Sequence, residues 1–348
     1  MLGKSYKIVE PRRFDLYIDD IICNEGEAVV RIEYASICKA DLRYYLGARD
    51  KRTLGFKYPM NLLHEAVGTI VLDKTQTFNI RDKVVLVPNI VPKGLKNCLS
   101  CICNIKELGE NYCPHSKFAS SNYNGFSREY VNYPIKNLVP IPENIDLQVA
   151  TFSELISVAI SICRRFNLKG NETIGIWGDG VLGYILCVVI RYMYSNAKVV
   201  VVGKHESKLK QFPAHTYYIS GDKRMIKENI SVAYECVGGK ASSFAINEIV
   251  DCILAGGSII LTGVAEEKVE INTRKILEKG LSLYGATRSK ISDFKKAVIL
   301  LQNDNFRRDI SKLLLNEIQI RNIVDFYDAF ESELSNKALG RYILKFNV

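Results

Sequence analysis

Cys38, His64, Glu65 and Glu154 carry the most chemistry in this chain of 348 residues. Thiolate, imidazole and carboxylate are ligand types that zinc accepts together, and a catalytic zinc takes three protein ligands and keeps one position open for water or substrate. The order and spacing of the four residues predict a single catalytic zinc site, and hence a metal-assisted redox enzyme. Each residue alone says little. Glu154 also admits a plain reading, because Ser153 followed by Glu154 ahead of an apolar helical stretch is a helix cap with a first-turn acid.

The elements that must position a second reactant follow. The β-branched, apolar run TIGIW (residues 173–177) leads into Gly178, Asp179, Gly180, Val181, Leu182 and Gly183, and then into an apolar helix-like stretch over residues 184–194. This is the strand, glycine turn and helix of the dinucleotide fingerprint, in which the pyrophosphate sits on the free N–H groups of the helix start. A second strand over residues 198–202 arrives at the right distance. Where it ends, an NAD site usually places Asp or Glu on the ribose hydroxyls. Here the chain has Gly203, Lys204 and His205, with Lys208 one turn on, so two cations stand where a 2′-phosphate would pair and no acid stands to repel it. NADP(H) is therefore expected over NAD(H); the alternative is a solvated basic loop. By the same strand-end rule, backbone near Val237, Gly238, Gly263 and Val264 is expected to line the nicotinamide.

Length and composition accommodate such an enzyme. The chain is long enough for two domains, and 47% apolar residues allow substantial cores. Ten cysteines without a secretory signal predict a cytoplasmic protein whose thiols are reduced or on metal. The net charge of +9 is scattered rather than gathered into an arm, which favours anionic small molecules over nucleic acid as partners. No apolar run is long enough to span a membrane.

Up to about residue 145 the pattern is of short strands and turns, at 28–34, 66–72, 83–87 and 128–133. Strands at 174–177, 199–202, 232–236, 258–262 and 281–285 then alternate with candidate helices, the signature of a parallel, doubly wound α/β sheet, and residues 341–346 return to strand pattern.

The stretches SICKADLRYYLGARD, LLHEAVG, FSELISVAISICRRF, IGIWGDGVLGYI, YECVGG and NTRKILEKGLSLYGATRS give the chain a resemblance to the zinc-dependent medium-chain dehydrogenase/reductase superfamily. Within it the chain looks most like the ribulose-5-phosphate reductases that supply ribitol 5-phosphate for polymers of the teichoic-acid type. The resemblance implies a GroES-like, β-rich catalytic domain over residues 1–149, a Rossmann domain over 150–287, a C-terminal return over 288–348, and a homo-oligomer, most simply a dimer. It implies Cys38, His64 and Glu154 as catalytic zinc ligands, Glu65 beside or on the metal, Asp41 orienting a zinc-bound imidazole, and Lys39 reaching the cofactor pyrophosphate. Ala40 departs from the family, many of whose members carry there a Ser or Thr that begins a proton relay. Zinc-bound water, Glu65, or a hydroxyl of Tyr44 or Tyr45 is the expected substitute, and the two tyrosines serve equally well as pocket walls.

Cys98, Cys101, Cys103 and Cys113 stand where the family often has a structural-zinc lobe, with two, one and nine residues between them, a spacing that departs from the family's. A second zinc is expected there, with His115 as an alternative ligand, against a loop of unligated thiols. Cys23, Cys163, Cys187, Cys236 and Cys252 are expected to be small buried hydrophobes.

The chemistry implied is zinc-dependent, NADPH-linked reduction of D-ribulose 5-phosphate to D-ribitol 5-phosphate. Arg43, Arg49 and Arg288 are the candidate phosphate contacts, unless the first two pair with Asp41 and Asp50 and the third touches only cofactor. Two other readings compete: NAD(P)-dependent dehydrogenation of a free polyol such as sorbitol or ribitol, and a non-enzymatic scaffold that binds cofactor and zinc. Lys204 in place of an acid argues against the former, and an intact ligand set against the latter.

Overall fold

A computed structural model describes residues 1–92 and 110–347, so Cys98, Cys101 and Cys103 lie outside the described residues. The chain divides into two compact units, Met1–Ser157 with Ser289–Val348, and Val158–Arg288. In chain order the strands of the first unit are β1 (Leu2–Glu10), β2 (Arg13–Asp20), β3 (Glu27–Ser36), β4 (Met60–Asn61), β5 (Glu65–Asp73), β6 (Lys83–Leu86), β7 (Asn89–Ile90), β8 (Lys117–Phe118), β9 (Tyr130–Pro134) and β10 (Leu138–Pro140). The second unit contributes β11 (Thr173–Trp177), β12 (Lys198–Gly203), β13 (Thr216–Ile219), β14 (Val232–Glu235), β15 (Ser258–Leu261) and β16 (Ser282–Gly285), after which β17 (Leu314–Ile320) and β18 (Arg341–Phe346) return to the first.

In the first unit one sheet runs β10-β6-β5-β3-β18-β17, with β9 also pairing β3. Register carries function here. The antiparallel β3/β5 pairing sets Ser36 opposite Glu65, and the β18/β3 pairing sets Ile343 opposite Ser36. One end of the sheet thus gathers a hydroxyl, an acid and, two residues from Ile343, Arg341. A second sheet, β2-β1-β4, buries an aromatic core in which Phe14 stacks on Tyr45 with ring centroids 5.4 Å apart and Tyr6 on Phe326 at 4.8 Å.

The second unit is a six-stranded parallel sheet in the order β13-β12-β11-β14-β15-β16. Strand order reverses beside β11, the topological switch point where open α/β sheets bind ligands at the carboxyl ends of their strands. β11, β12 and β14 are nearly continuous apolar runs because parallel strands are covered on both faces. Every strand expected from the sequence is present with its ends within two residues of the expectation. The strands β1, β2, β4, β7, β8, β10, β13 and β17 went unforeseen. The longest apolar helical run among the described residues, Leu147–Arg165, has mean hydropathy 1.3, and 78% of that window is buried inside the protein, as in a core helix.

Candidate metal centre and nucleotide loop

Cys38 ends the segment after β3 and caps the helix Lys39–Tyr45. Its sulfur accepts the N–H groups of Ala40 at 3.2 Å and Asp41 at 3.4 Å. Burial pushes the thiol well above its usual range, Asp41 and Glu65 push it further, and Arg341 opposes them. The fully buried Asp41 carboxylate accepts the N–H of Cys38 at 3.0 Å, the N–H of Leu63 at 3.0 Å and the Ser120 hydroxyl at 2.6 Å. Leu63 sits at φ 69°, a left-handed conformation that needs such an anchor, and it immediately precedes His64. His64 Nδ1 lies 3.8 Å from Cys38 Sγ and 4.0 Å from Asp41 Oδ1. At that separation Asp41 makes no hydrogen bond to the ring. It acts on His64 through the backbone one residue before it.

Glu65 opens β5. Its Oε2 accepts Arg341 Nη1 at 2.5 Å and the Ser36 hydroxyl, whereas Oε1 is buried without a hydrogen-bond partner. The ligand atoms of Cys38, His64 and Glu65 all lie within 4.8 Å of one another. Glu154, 5% exposed in the first turn of the helix Ser153–Arg165, stands outside that group but interacts with it by charge. Burial pushes its carboxyl up to about 7; His64 and Arg341 pull it down, and Glu65 and Asp41 push it up. Ser153 Oγ is buried with no hydrogen bond, so that hydroxyl caps nothing. A buried thiol, an imidazole, an orphaned carboxylate oxygen and a second buried carboxyl, with Arg341 as the cation among them, form a donor set that suits zinc.

Other expected residues fall elsewhere. Tyr45 is a core residue whose hydroxyl donates to Glu331 at 2.6 Å, and burial with that bond raises its pKa, so its proposed service as proton source is corrected. Tyr44 is also buried; the Arg49 guanidinium lies 4.5 Å over its ring, and Tyr58 donates to its carbonyl at 2.5 Å. Asp50 is occupied in capping the helix Lys51–Lys57 through Thr53. Arg43 lies in the last turn of the helix that Cys38 caps, Lys39 is exposed, and Arg288 adopts φ 61°. Cys113 is buried and His115 exposed; among the described residues neither joins a group of potential metal ligands.

In the second unit, Gly178 adopts φ 129°, and a Cβ there would meet the Cys236 carbonyl at 2.9 Å. A Cβ on Gly183 would strike the Gly178 oxygen at 2.2 Å, whereas one on Gly180 would meet no protein atom within 4 Å. The first and third glycines thus make the turn and the helix contact, and the second keeps backbone bare for close approach of a pyrophosphate, as a dinucleotide requires. Val181 and Leu182 begin the helix Val181–Met193. The end of β12 holds a correction to the expectation that it lacks an acid. Asp179 Oδ2 accepts the N–H of Lys204 at 2.8 Å, the N–H of His205 at 2.7 Å and His205 Nδ1 at 2.9 Å. Burial raises this carboxyl, but the His205 and Lys204 bonds outweigh it, leaving its pKa lowered. Lys204 and His205 are exposed and Lys208 half-buried.

Ser36, Ser120 and Arg341 are the site residues that sequence reasoning missed. Only Arg341 left a trace, as an arginine opening the mostly apolar strand RYILKF that a buried position would oblige to find an acid.

Residues 24–143 match the alcohol dehydrogenase GroES-like domain family and residues 186–303 the zinc-binding dehydrogenase family. The chain is 39% identical over 353 residues to ribulose-5-phosphate reductase 1 of Staphylococcus aureus, covering 99% of both chains, and 34% identical over 355 residues to the ribulose-5-phosphate reductase of Bacillus spizizenii, covering all of both. Among solved structures, S. aureus TarJ in complex with NADPH superposes with a TM-score of 0.84 at 35% identity over the whole of both chains. The chain therefore belongs to the zinc-binding dehydrogenases with a GroES-like domain, in the family of the ribulose-5-phosphate reductases.

Proposed function

We propose that this chain reduces D-ribulose 5-phosphate to D-ribitol 5-phosphate with NADPH in a zinc-dependent reaction. The observation that carries the proposal is the Cys38, His64 and Glu65 donor group, with the thiol and the carboxylate buried, on a chain 39% identical over 353 residues to a ribulose-5-phosphate reductase. Held by Cys38, His64 and Glu154 with Glu65 beside it, zinc would supply a Lewis acid that polarises the substrate's keto group. Asp41 fixes the backbone at the cysteine and immediately before the histidine, and Arg341 and Ser36 fix Glu65. With no hydroxyl on Ala40 and the Tyr45 hydroxyl committed to Glu331, neither position supplies the proton.

For the cofactor, Gly178, Gly180 and Gly183 would take the pyrophosphate, and Lys204, with His205 and Lys208, would face the 2′-phosphate from a turn that Asp179 holds in place. For the substrate, Arg43, Arg49 and Arg288 are the proposed phosphate contacts. Lys57 joins them as a residue the sequence did not point to. Burial and the neighbouring Arg49 lower its pKa, and it makes no ion pair among the described residues, so an anion beside Lys57 would relieve its charge. On this reading the chain works in the cytoplasm as a homo-oligomer, which cell fractionation and light scattering would check. The decisive experiment is a panel of phosphorylated and free ketoses and polyols assayed with both nicotinamide cofactors. D-ribulose 5-phosphate with NADPH should give the highest specificity constant, and equal turnover of free ribulose, sorbitol or ribitol would leave a general polyol dehydrogenase.

A further inference from the structure

Glu235 is the last residue of β14 and is fully buried, yet no Lys or Arg pairs with it among the described residues. Its partners are backbone. Oε1 accepts the N–H of Val237 at 2.9 Å and of Gly238 at 2.8 Å, and Oε2 accepts the N–H of Gly263 at 3.1 Å. The main-chain carbonyl of the same residue accepts the N–H groups of Thr262 and Gly263, each at 3.0 Å, and the Thr262 hydroxyl at 2.6 Å. One residue therefore staples the loop after β14 to the loop after β15. The fit is tight: a Cβ on Gly263 would fall 2.4 Å from the Gly238 nitrogen and 2.5 Å from Glu235 Oε1.

A buried carboxylate without a cation is costly, and an apolar residue would fill the end of a core strand with less penalty. Glu235 does what an apolar residue does not: it sets three N–H groups, and with them the φ and ψ angles of two loops, in one geometry. Those loops lie at the carboxyl ends of adjacent parallel strands next to the switch point, where this fold class places its ligands. We infer that Glu235 is a positioning residue for hydride transfer, which holds Val237, Gly238, Gly263 and Val264 rigid as the wall against which the nicotinamide is aligned. The inference rests on the NADPH-linked reduction proposed above. Because the pyrophosphate and 2′-phosphate contacts sit on other loops, loss of the staple should misalign the ring while leaving most of the binding energy intact.

The test uses the full-length, zinc-loaded protein and the substitution Glu235→Gln, which keeps the size but presents an amide N–H₂ to at least one backbone donor. NADPH affinity is measured by fluorescence titration without substrate, and hydride transfer by single-turnover kinetics with NADPH and with NADPH deuterated at the transferred position. The expected result is a single-turnover rate lowered at least tenfold, with the deuterium effect retained on that slower step and NADPH affinity within threefold of the parent. A smaller rate loss, or an affinity loss that matches the rate loss, would overturn the positioning role and leave Glu235 as a support of the binding site alone. If Glu235→Gln does not fold, Gly263→Ala, which drives a methyl group into the same carboxylate, is read by the same criteria. Failure of the underlying reading is separately visible, as absence of NADPH oxidation by D-ribulose 5-phosphate in the parent protein.

Discussion

Arg341 reaches Glu65 from β18, and the pair brings a buried cation to the metal centre. The two side chains are 9% and 0% exposed. Removing one partner of a buried pair leaves the other charge uncompensated, at a typical cost of about 3 to 5 kcal/mol. Arg341→Ala should therefore destabilise the protein by about that amount in chemical denaturation. A loss under about 1 kcal/mol would mean that the pair behaves like an exposed one. Metal analysis makes a second prediction at this scale. The purified protein should hold about two zinc ions per chain, the second on Cys98, Cys101, Cys103 and Cys113 as expected from the sequence, and Cys113→Ser should lose one of them. Cys38→Ser and His64→Ala should abolish turnover while NADPH still binds. Near-parental activity in either variant would remove the catalytic assignment.

At the scale of elements, what was legible in the sequence was whatever chain-local chemistry announces. The glycine turn between β11 and its helix was readable because each glycine answers a local steric demand, and β18 because six residues in strand pattern stand alone at the end. The unforeseen β13, TYYI, is a four-residue edge strand with alternating exposure, too short to distinguish from loop until its neighbour β12 is in place. Asp179 failed for a different reason. The carboxylate at the end of β12 was sought on β12, but the glycine turn supplies it, and the Gly203 that allows its approach reads in sequence as a mere gap: a Cβ there would lie 2.7 Å from Asp179 Cβ. Ser36 and Arg341 were hard to place for a related cause, since strand register and not sequence distance brings them to the centre, and Ser120 reaches Asp41 from a turn. The turn offers a pH test. Because the folded pKa of Asp179 lies below its ordinary 3.8, its stabilising bonds are fully present above that value and are lost as pH falls through the folded pKa. The difference in melting temperature between parent and Asp179→Asn should hold steady from neutrality down to about pH 4 and narrow only below it. A gap that closed between pH 5 and 8 would point to a different group. On the same turn, Lys204→Ala should weaken NADPH more than NADH, by about 1.5 to 3 kcal/mol for a charged hydrogen bond to the 2′-phosphate. Equal losses would reveal only a general field.

For the whole molecule, the open question is what a GroES-like unit and a Rossmann unit of this common kind select as substrate, because the fold hosts many chemistries and the choice lies in a few side chains. Net charge of +9 without a basic arm suits a small anion, and the cations around Tyr44 and Tyr58 are unevenly placed in a telling way. Arg49 is laid over the Tyr44 ring, Tyr58 is tied to the Tyr44 carbonyl, and Lys57, next in sequence to Tyr58, lacks an anionic partner among the described residues. Tyr44 belongs to the helix that Cys38 caps, so the same short element that begins the metal site also carries the platform for these cations. A guanidinium fork on a fixed aromatic face meets a phosphate with little further loss of freedom, and such a charge-assisted contact is worth about 1.5 to 3 kcal/mol. Reduction of unphosphorylated ribulose should accordingly be poorer than that of D-ribulose 5-phosphate by at least about tenfold in specificity constant, or about 1.4 kcal/mol. Arg49→Ala and Lys57→Ala should each erode that ratio chiefly by raising KM for the phosphate ester, with little change for the free sugar. If both substitutions lowered the two substrates alike, the cations would be supporting the fold of the helix pair rather than reading phosphate, and the substrate's charged end would have to be met elsewhere, with Arg43 and Arg288 the next positions to substitute.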